Sequence, residues 1–374
     1  MHLYVHVPFC LRRCSYCDFA IAVRPRVPTD RFVAAVLAER ERRAGGEGWR
    51  DAPFETVYLG GGTPSRLPPE AVAALLDAFP RTPDAEVTLE ANPEDVTLEA
   101  ARAWRAAGAT RVSLGVQSFD PAVLAWMHRP HDAPAVGRAM TRLREAGLPQ
   151  VSVDLMFALP AELGQDIPGD LDRALALEPE HISAYGLTLE PRTPYARWVT
   201  RRSVTPTPDE RYATEFLLVH DRLTAAGFDH YEVSNYAGAR DGAPLRARHN
   251  GAYWTGRPYL GLGPAAHGYD GTRRRWNERE WTAYERAVRS GRDPVAGEEV
   301  LTPEQRALEA AYLGLRSTHG IDPLLGARLN HRAVLAAVSV GWLTTGDGWV
   351  RATPRGWLVL DELTALLTTF PEGG

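Results

Sequence analysis

Cys10, Cys14 and Cys17 are the only cysteines in a chain of 374 residues, and they fall in one run, Cys10-Leu11-Arg12-Arg13-Cys14-Ser15-Tyr16-Cys17. Thiols this dense are not scattered core residues, and an odd number in one loop cannot build a disulfide framework. Thiolates are soft donors, so a group of them suits zinc or an iron–sulfur centre. Structural zinc loops pair one Cys-x2-4-Cys unit with a second pair, or with histidines, to reach four ligands. Here there is one gap of three residues, one gap of two and no fourth cysteine. Three thiolates can instead hold three irons of a [4Fe–4S] cube and leave the fourth open to a small molecule. A zinc site completed by His6 or another histidine is the alternative.

The elements that must position this loop follow from periodicity. Short β-rich runs at 3–7, 56–59, 86–90, 111–116, 151–157 and 181–187 read as strands. Between them, apolar residues at three-to-four spacing read as helices at 29–43, 69–79, 98–107, 134–146 and 170–176. Thr29 or Asp30 can cap the first, and Gly108 and Gly147 can stop the third and fourth. Strands alternating with helices imply an α/β fold of parallel βα units. A polar group stands at the end of each strand: the cysteines, Gly60-Gly61-Gly62-Thr63-Pro64, Glu90-Ala91-Asn92-Pro93, Gln117-Ser118, Asp154, and Thr188 with Glu190. In a barrel of parallel strands these ends meet on one face, where active sites sit. Each could also be a turn, a cap or a satisfied surface polar residue. Their shared position opposite the cysteine loop favours a single site.

In combination these stretches identify a resemblance. The chain resembles the HemN/HemW branch of the radical S-adenosylmethionine (SAM) superfamily, which holds the oxygen-independent coproporphyrinogen III oxidases and the related haem chaperones. The matching stretches are Tyr4-Val5-His6-Val7-Pro8-Phe9-Cys10, the cysteine loop with Tyr16 before its last cysteine, 60–64, 90–93, 115–119, 154–160 and 231–235. They run in order over 1–285. The resemblance implies a partial (β/α)6 barrel at 1–200, a barrel extension carrying the haem-binding region at 201–300, and a smaller α+β winged-helix-like domain at 301–374. It implies a [4Fe–4S] cluster on Cys10, Cys14 and Cys17, with SAM at the open iron. Tyr4 and Tyr16 would line the SAM site. Gly61, Gly62 and Thr63 would meet the methionyl end, and Glu90, Gln117, Arg129 and Asp154 the amino, carboxylate or ribose groups.

Two departures divide the branch. The resemblance would give an oxidase a further cysteine two residues after the third, where this chain has Phe19. It would also give an oxidase a long extension before the cluster loop, for which nine residues leave no room. Both favour a haem chaperone over porphyrinogen decarboxylation. His249-Asn250-Gly251-Ala252-Tyr253-Trp254 resembles a chaperone stretch associated with haem, which makes His249 the first candidate haem ligand and His267 the second. The cargo is then haem and the acceptors haem-requiring respiratory apoproteins, met at the membrane surface, with a homodimer one assembly state. No residue is assigned a catalytic role.

From residue 301 the pattern changes. Thr302-Pro303-Glu304 reads as a helix start, a helix follows at 332–338, a Gly346-Asp347-Gly348 turn joins two strands, and a helix spans 354–368. The Thr- and Pro-rich run 201–209 reads as a loop and boundary. A net charge of −5 argues against a general nucleic-acid surface, and helices with a wing read as a lid or docking element. All 42 basic residues are arginine, so Schiff-base lysine chemistry is excluded. No apolar run approaches the roughly 18 residues of a spanning helix, and clustered thiols without a secretion signal point to the cytoplasm.

Overall fold

The computed structural model describes residues 1–44 and 53–368. Six strands form its centre: β1 (His2–Val7), β2 (Phe54–Gly61), β3 (Arg81–Ala91), β4 (Arg111–Gln117), β5 (Gln150–Phe157) and β6 (His181–Gly186). Each pairs in parallel with the next in chain order. Helices Thr29–Ala44, Pro69–Asp77, Leu98–Ala106, Ala133–Glu145 and Ile167–Leu175 make the crossovers. Their starts are fixed by side chains that accept orphan backbone N–H groups: Thr97 from Ala100, Asp132 from Ala135 and Asp166 from Gly169. The last helix begins earlier than its apolar spacing indicates, because Asp166 caps it and Pro168 suits its first turn.

The strands alternate through their central residues. Leu3, Val5, Val57, Leu59, Val87, Leu89, Val112 and Leu114 belong to the core beneath the helices. The residues between them are polar and meet one another across the concave face. Tyr58 donates to Glu90, Ser113 to Asp154, and Arg111 contacts His181. Side chains from all six strands or their following loops line a single cavity, which a flat sheet could not arrange. The sheet is thus curled into a partial barrel with a polar interior, where period-two alternation ordinarily marks one face turned to solvent.

The sheet continues on both sides to twelve strands. Beyond β6 lie two short antiparallel strands, β7 (Asp229–Glu232) and β8 (Asn235–Ala237), with β8 against β6. On the other side β9 (Tyr259–Leu262) runs parallel to β1, followed by antiparallel β10 (His267–Tyr269), β11 (Arg273–Asn277) and β12 (Val295–Val300). Glu39, fully buried on the first crossover helix, fastens this extension. It accepts from Gly263 N, the Asn277 amide, the Tyr284 hydroxyl and Arg43.

The C-terminal part has helices Pro303–Gly314, His331–Ser339 and Leu360–Thr368, with a hairpin of β13 (Leu343–Gly346) and β14 (Trp349–Ala352). Thr302 caps the first of these through a complete capping box with Gln305. The single helix expected at 354–368 is broken into Pro354–Trp357 and Leu360–Thr368. Trp357 is drawn into the core there, its indole N–H donating to the Leu315 carbonyl. Among the described residues no helix is long and apolar enough to cross a membrane.

Candidate cofactor site

A cavity of about 490 Å3 opens at the C-terminal ends of the six strands. The cysteine loop forms one wall, pinned by backbone bonds from Ala22 to Pro8 (2.7 Å), Ser15 to Met127 (3.3 Å) and Tyr195 to Ser15 (2.9 Å). Cys10, Cys14 and Cys17 all line it, and none is in a disulfide. The Thr63 hydroxyl donates to Cys10 Sγ at 3.4 Å, and Arg129 Nη1 lies 3.8 Å from Cys14 Sγ. Burial pushes the Cys10 thiol up and the Cys17 thiol up to about 12. Such thiols ionise when a cation takes the proton's place, which is the behaviour of cluster ligands.

Gly61 and Gly62 bring the second strand's loop close to the first. Gly62 N donates to Val7 O at 2.8 Å, and a Cβ on Gly62 would fall 2.7 Å from the Pro8 carbonyl carbon. Gly61 has φ 113°, and a Cβ there would fall 2.6 Å from the His6 ring. Only glycine fits this cradle. Opposite it, Glu90 accepts from Tyr58 Oη at 2.8 Å and from Gly61 N at 2.9 Å. Burial in the cavity wall nevertheless pushes its carboxyl up to about 7. Asp154 is raised for the same reason, against the Arg111 charge and the hydroxyls of Ser113 and Ser152. Gln117 sits at φ 68°, a costly conformation for a residue with a side chain and one that concentrates at functional sites. Arg129 is held by Asn92 Oδ1 and the Gly115 carbonyl, at 2.7 and 2.5 Å.

The cavity thus brings together Cys10, Cys14, Cys17, Tyr16, Gly61, Gly62, Thr63, Glu90, Gln117, Arg129 and Asp154. The donor set fits a [4Fe–4S] cluster, and the glycine cradle with carboxylates and Arg129 fits a zwitterionic ligand beside it. His6, suggested as a zinc ligand, has both ring nitrogens engaged, by Tyr4 Oη (3.0 Å) and the Ala20 carbonyl (2.9 Å). Among the described residues no three His, Cys, Asp or Glu side chains converge on a single-ion site.

Two expected residues lie elsewhere. Tyr4 is below the cavity, stacked on Tyr58 at 6.0 Å and bonded to His6. His249 sits further down, only 2% exposed, against the first residues of the strands. Its Nδ1 pairs with Thr56 Oγ1 at 2.7 Å and its Nε2 with Tyr253 Oη at 3.0 Å. Burial lowers it to about 3, so it stays neutral. With both nitrogens engaged it closes the bottom of the barrel and does not face an open space in this conformation. Conversely, Tyr58 and Ser113 line the cavity and support its charged residues. They share a face with the flagged residues at period two, the signal that could have found them.

The comparisons with known proteins agree with this geometry. The family model of the radical SAM superfamily matches residues 4–174. The heme chaperone HemW of Mycobacterium tuberculosis is 40% identical over 375 residues, covering 98% of this chain and 94% of its own. Its namesake from Bacillus subtilis is 32% identical, covering 85% of this chain and 84% of its own. Among solved structures, coproporphyrinogen III oxidase (HemN) from Escherichia coli has a TM-score of 0.80, covering 98% of this chain and 89% of that one. At 20% identity that likeness is one of fold.

Proposed function

The chain belongs to the radical SAM superfamily and, within it, to the HemW family, and from this we propose that it binds haem as cargo and delivers it to haem-requiring respiratory proteins in the cytoplasm or at the membrane surface. The observation that carries the reading is the 40% identity to a protein named heme chaperone, sustained over 98% of the chain. The exposed Phe19 ring on the rim of the cysteine cavity is in keeping with it, since the resemblance places a cysteine there in an oxidase.

In this reading Cys10, Cys14 and Cys17 hold the cluster, with the Thr63 hydroxyl donating to Cys10 Sγ at 3.4 Å and Arg129 Nη1 3.8 Å from Cys14 Sγ. The chemistry a [4Fe–4S] cluster supplies in this superfamily is one-electron reduction of SAM at its thiolate-free iron. Glu90 would accept from the amino group of SAM, Arg129 would be the cation for its carboxylate, and Asp154 would accept from ribose hydroxyls. Tyr16 lies in the wall where the adenine would pack.

The competing activity is decarboxylation of porphyrinogen propionates. Cluster-reconstituted protein, given SAM, a reductant and coproporphyrinogen III, is expected to release no decarboxylated porphyrinogen above a protein-free control. Turnover above that control would replace the chaperone reading with the oxidase.

A further inference from the structure

A second cavity, of about 830 Å3, lies on the outer edge of the extended sheet, between β9–β11 and the helix Pro303–Gly314. This is within the roughly 300–1,000 Å3 of ordinary ligand sites. Its walls are aromatic. Tyr253 and Tyr259 meet edge to face at 4.7 Å, and Tyr259 approaches Tyr269 at 6.3 Å. Trp276 stacks on His267 at 6.0 Å and 27°, as the cross-strand pairing of β10 with β11 dictates. His267 is exposed. Among the described residues neither of its ring nitrogens has a hydrogen-bond partner. Partial desolvation where the ring lies against the sheet, and the nearby Arg274, lower its proton affinity, so a lone pair is available near neutrality.

The same cavity carries cations. Arg274 is already paired with Glu299 and Glu309. Arg257 has only a long contact to Glu55, at 3.4 Å. Arg306 is exposed, and among the described residues its guanidinium makes no hydrogen bond or ion pair. An available imidazole, a wall of flat rings and two under-used guanidinium groups call for one kind of ligand. It is flat and apolar, has a metal at its centre and carries carboxylates at its edge.

We propose that this cavity is the haem seat: His267 ligates the iron, Tyr253, Tyr259 and Trp276 flank the macrocycle, and Arg257 and Arg306 take the propionates. The inference rests on the haem-carrying reading and locates it away from the cysteine cavity. It also gives His249 a defined part. His249 holds the Tyr253 hydroxyl at 3.0 Å and meets its ring edge-on at 5.0 Å, so it is a positioning residue for one wall.

The test is anaerobic titration of the full-length, cluster-reconstituted protein with ferric haem, read by Soret absorbance and electron paramagnetic resonance. Wild type is compared with His267→Gly, Arg306→Glu and His249→Ala. His267→Gly is expected to bind at least about tenfold more weakly, with added imidazole restoring affinity and the nitrogen-ligand signature. Arg306→Glu, on an exposed helix face, is expected to lose about tenfold at low salt and less at high salt. His249→Ala is expected to weaken binding while leaving the iron's ligand signature unchanged. Wild-type binding that is unaltered in His267→Gly, or a ligand signature lost only in His249→Ala, overturns the seat and leaves the chaperone reading standing. Absence of saturable binding by wild type overturns both.

Discussion

Replacing Cys10, Cys14 and Cys17 together by alanine is expected to remove nearly all bound iron and sulfide while leaving the protein folded. The reasoning is local. The three thiols line the open end of the barrel, are each only partly buried, and contribute nothing to the core. Substitutions at such positions ordinarily shift stability by no more than about 0.5 kcal/mol. The cluster, by contrast, has no other soft donors to fall back on, because the chain has no fourth cysteine. Iron and sulfide analysis after reconstitution, beside a thermal melt, checks both halves. The same variant should still take up haem if the seat is the aromatic cavity on the sheet's edge. Retention of a full complement of iron and sulfide would refute the assignment of these thiols.

SAM binding to the reconstituted protein is expected to gain about tenfold per pH unit below neutrality from one protein carboxyl, a contribution that levels off above it. Glu90 is the cause. Burial in the cavity wall raises its carboxyl to about 7 in the ligand-free protein, so below that pH it holds a proton. The amino N–H groups of SAM are met by a carboxylate acceptor, and binding at lower pH must first remove that proton. The sign for folding is opposite. A carboxyl raised in the native state binds more protons there than when unfolded. The ligand-free protein therefore loses stability as pH rises from about 4.5 to 7. Calorimetric titration at pH 5.5, 6.5 and 7.5 measures the first effect. Glu90→Gln, which cannot ionise, should bind weakly and with a profile shallower by about tenfold per pH unit below neutrality. A profile as steep in the glutamine variant as in wild type would place the controlling group elsewhere.

Much of the site was legible because strand ends are where a parallel barrel converges. The cysteines, Gly61–Thr63, Glu90, Gln117 and Asp154 were separated by tens of residues yet shared that one register position. Arg129 came from the resemblance and falls on the same wall. What the sequence concealed has physical reasons. Tyr4 and His249 have the right chemistry, but how deep a side chain lies in the barrel, Tyr4 from its strand and His249 from the helix Arg248–Trp254, cannot be read from residue type. Tyr4 lies two residues before His6 on the inward face, and His249 packs beneath it. The polar barrel interior was masked because alternation looks the same whether the polar side faces water or a lumen. Tyr58 and Ser113 were overlooked for that reason. The break at Leu358 in the last helix depends on where Trp357 finds its partner, a tertiary matter that local propensity does not encode. His267 and the stretch holding Tyr253 were singled out, but the aromatic cavity that joins them was not legible, since it forms only when Pro303–Gly314 closes over the edge of β9–β11.

The measurement that bears most directly on the account is haem delivery. The full-length protein, reconstituted and loaded with one equivalent of haem, is mixed with membranes whose respiratory oxidase lacks haem, with albumin present to trap free haem. Recovery of the oxidase spectrum and activity, faster than with the same amount of haem on albumin alone, is the predicted result. Recovery no faster than that control, from a protein that has bound its haem, would contradict the account.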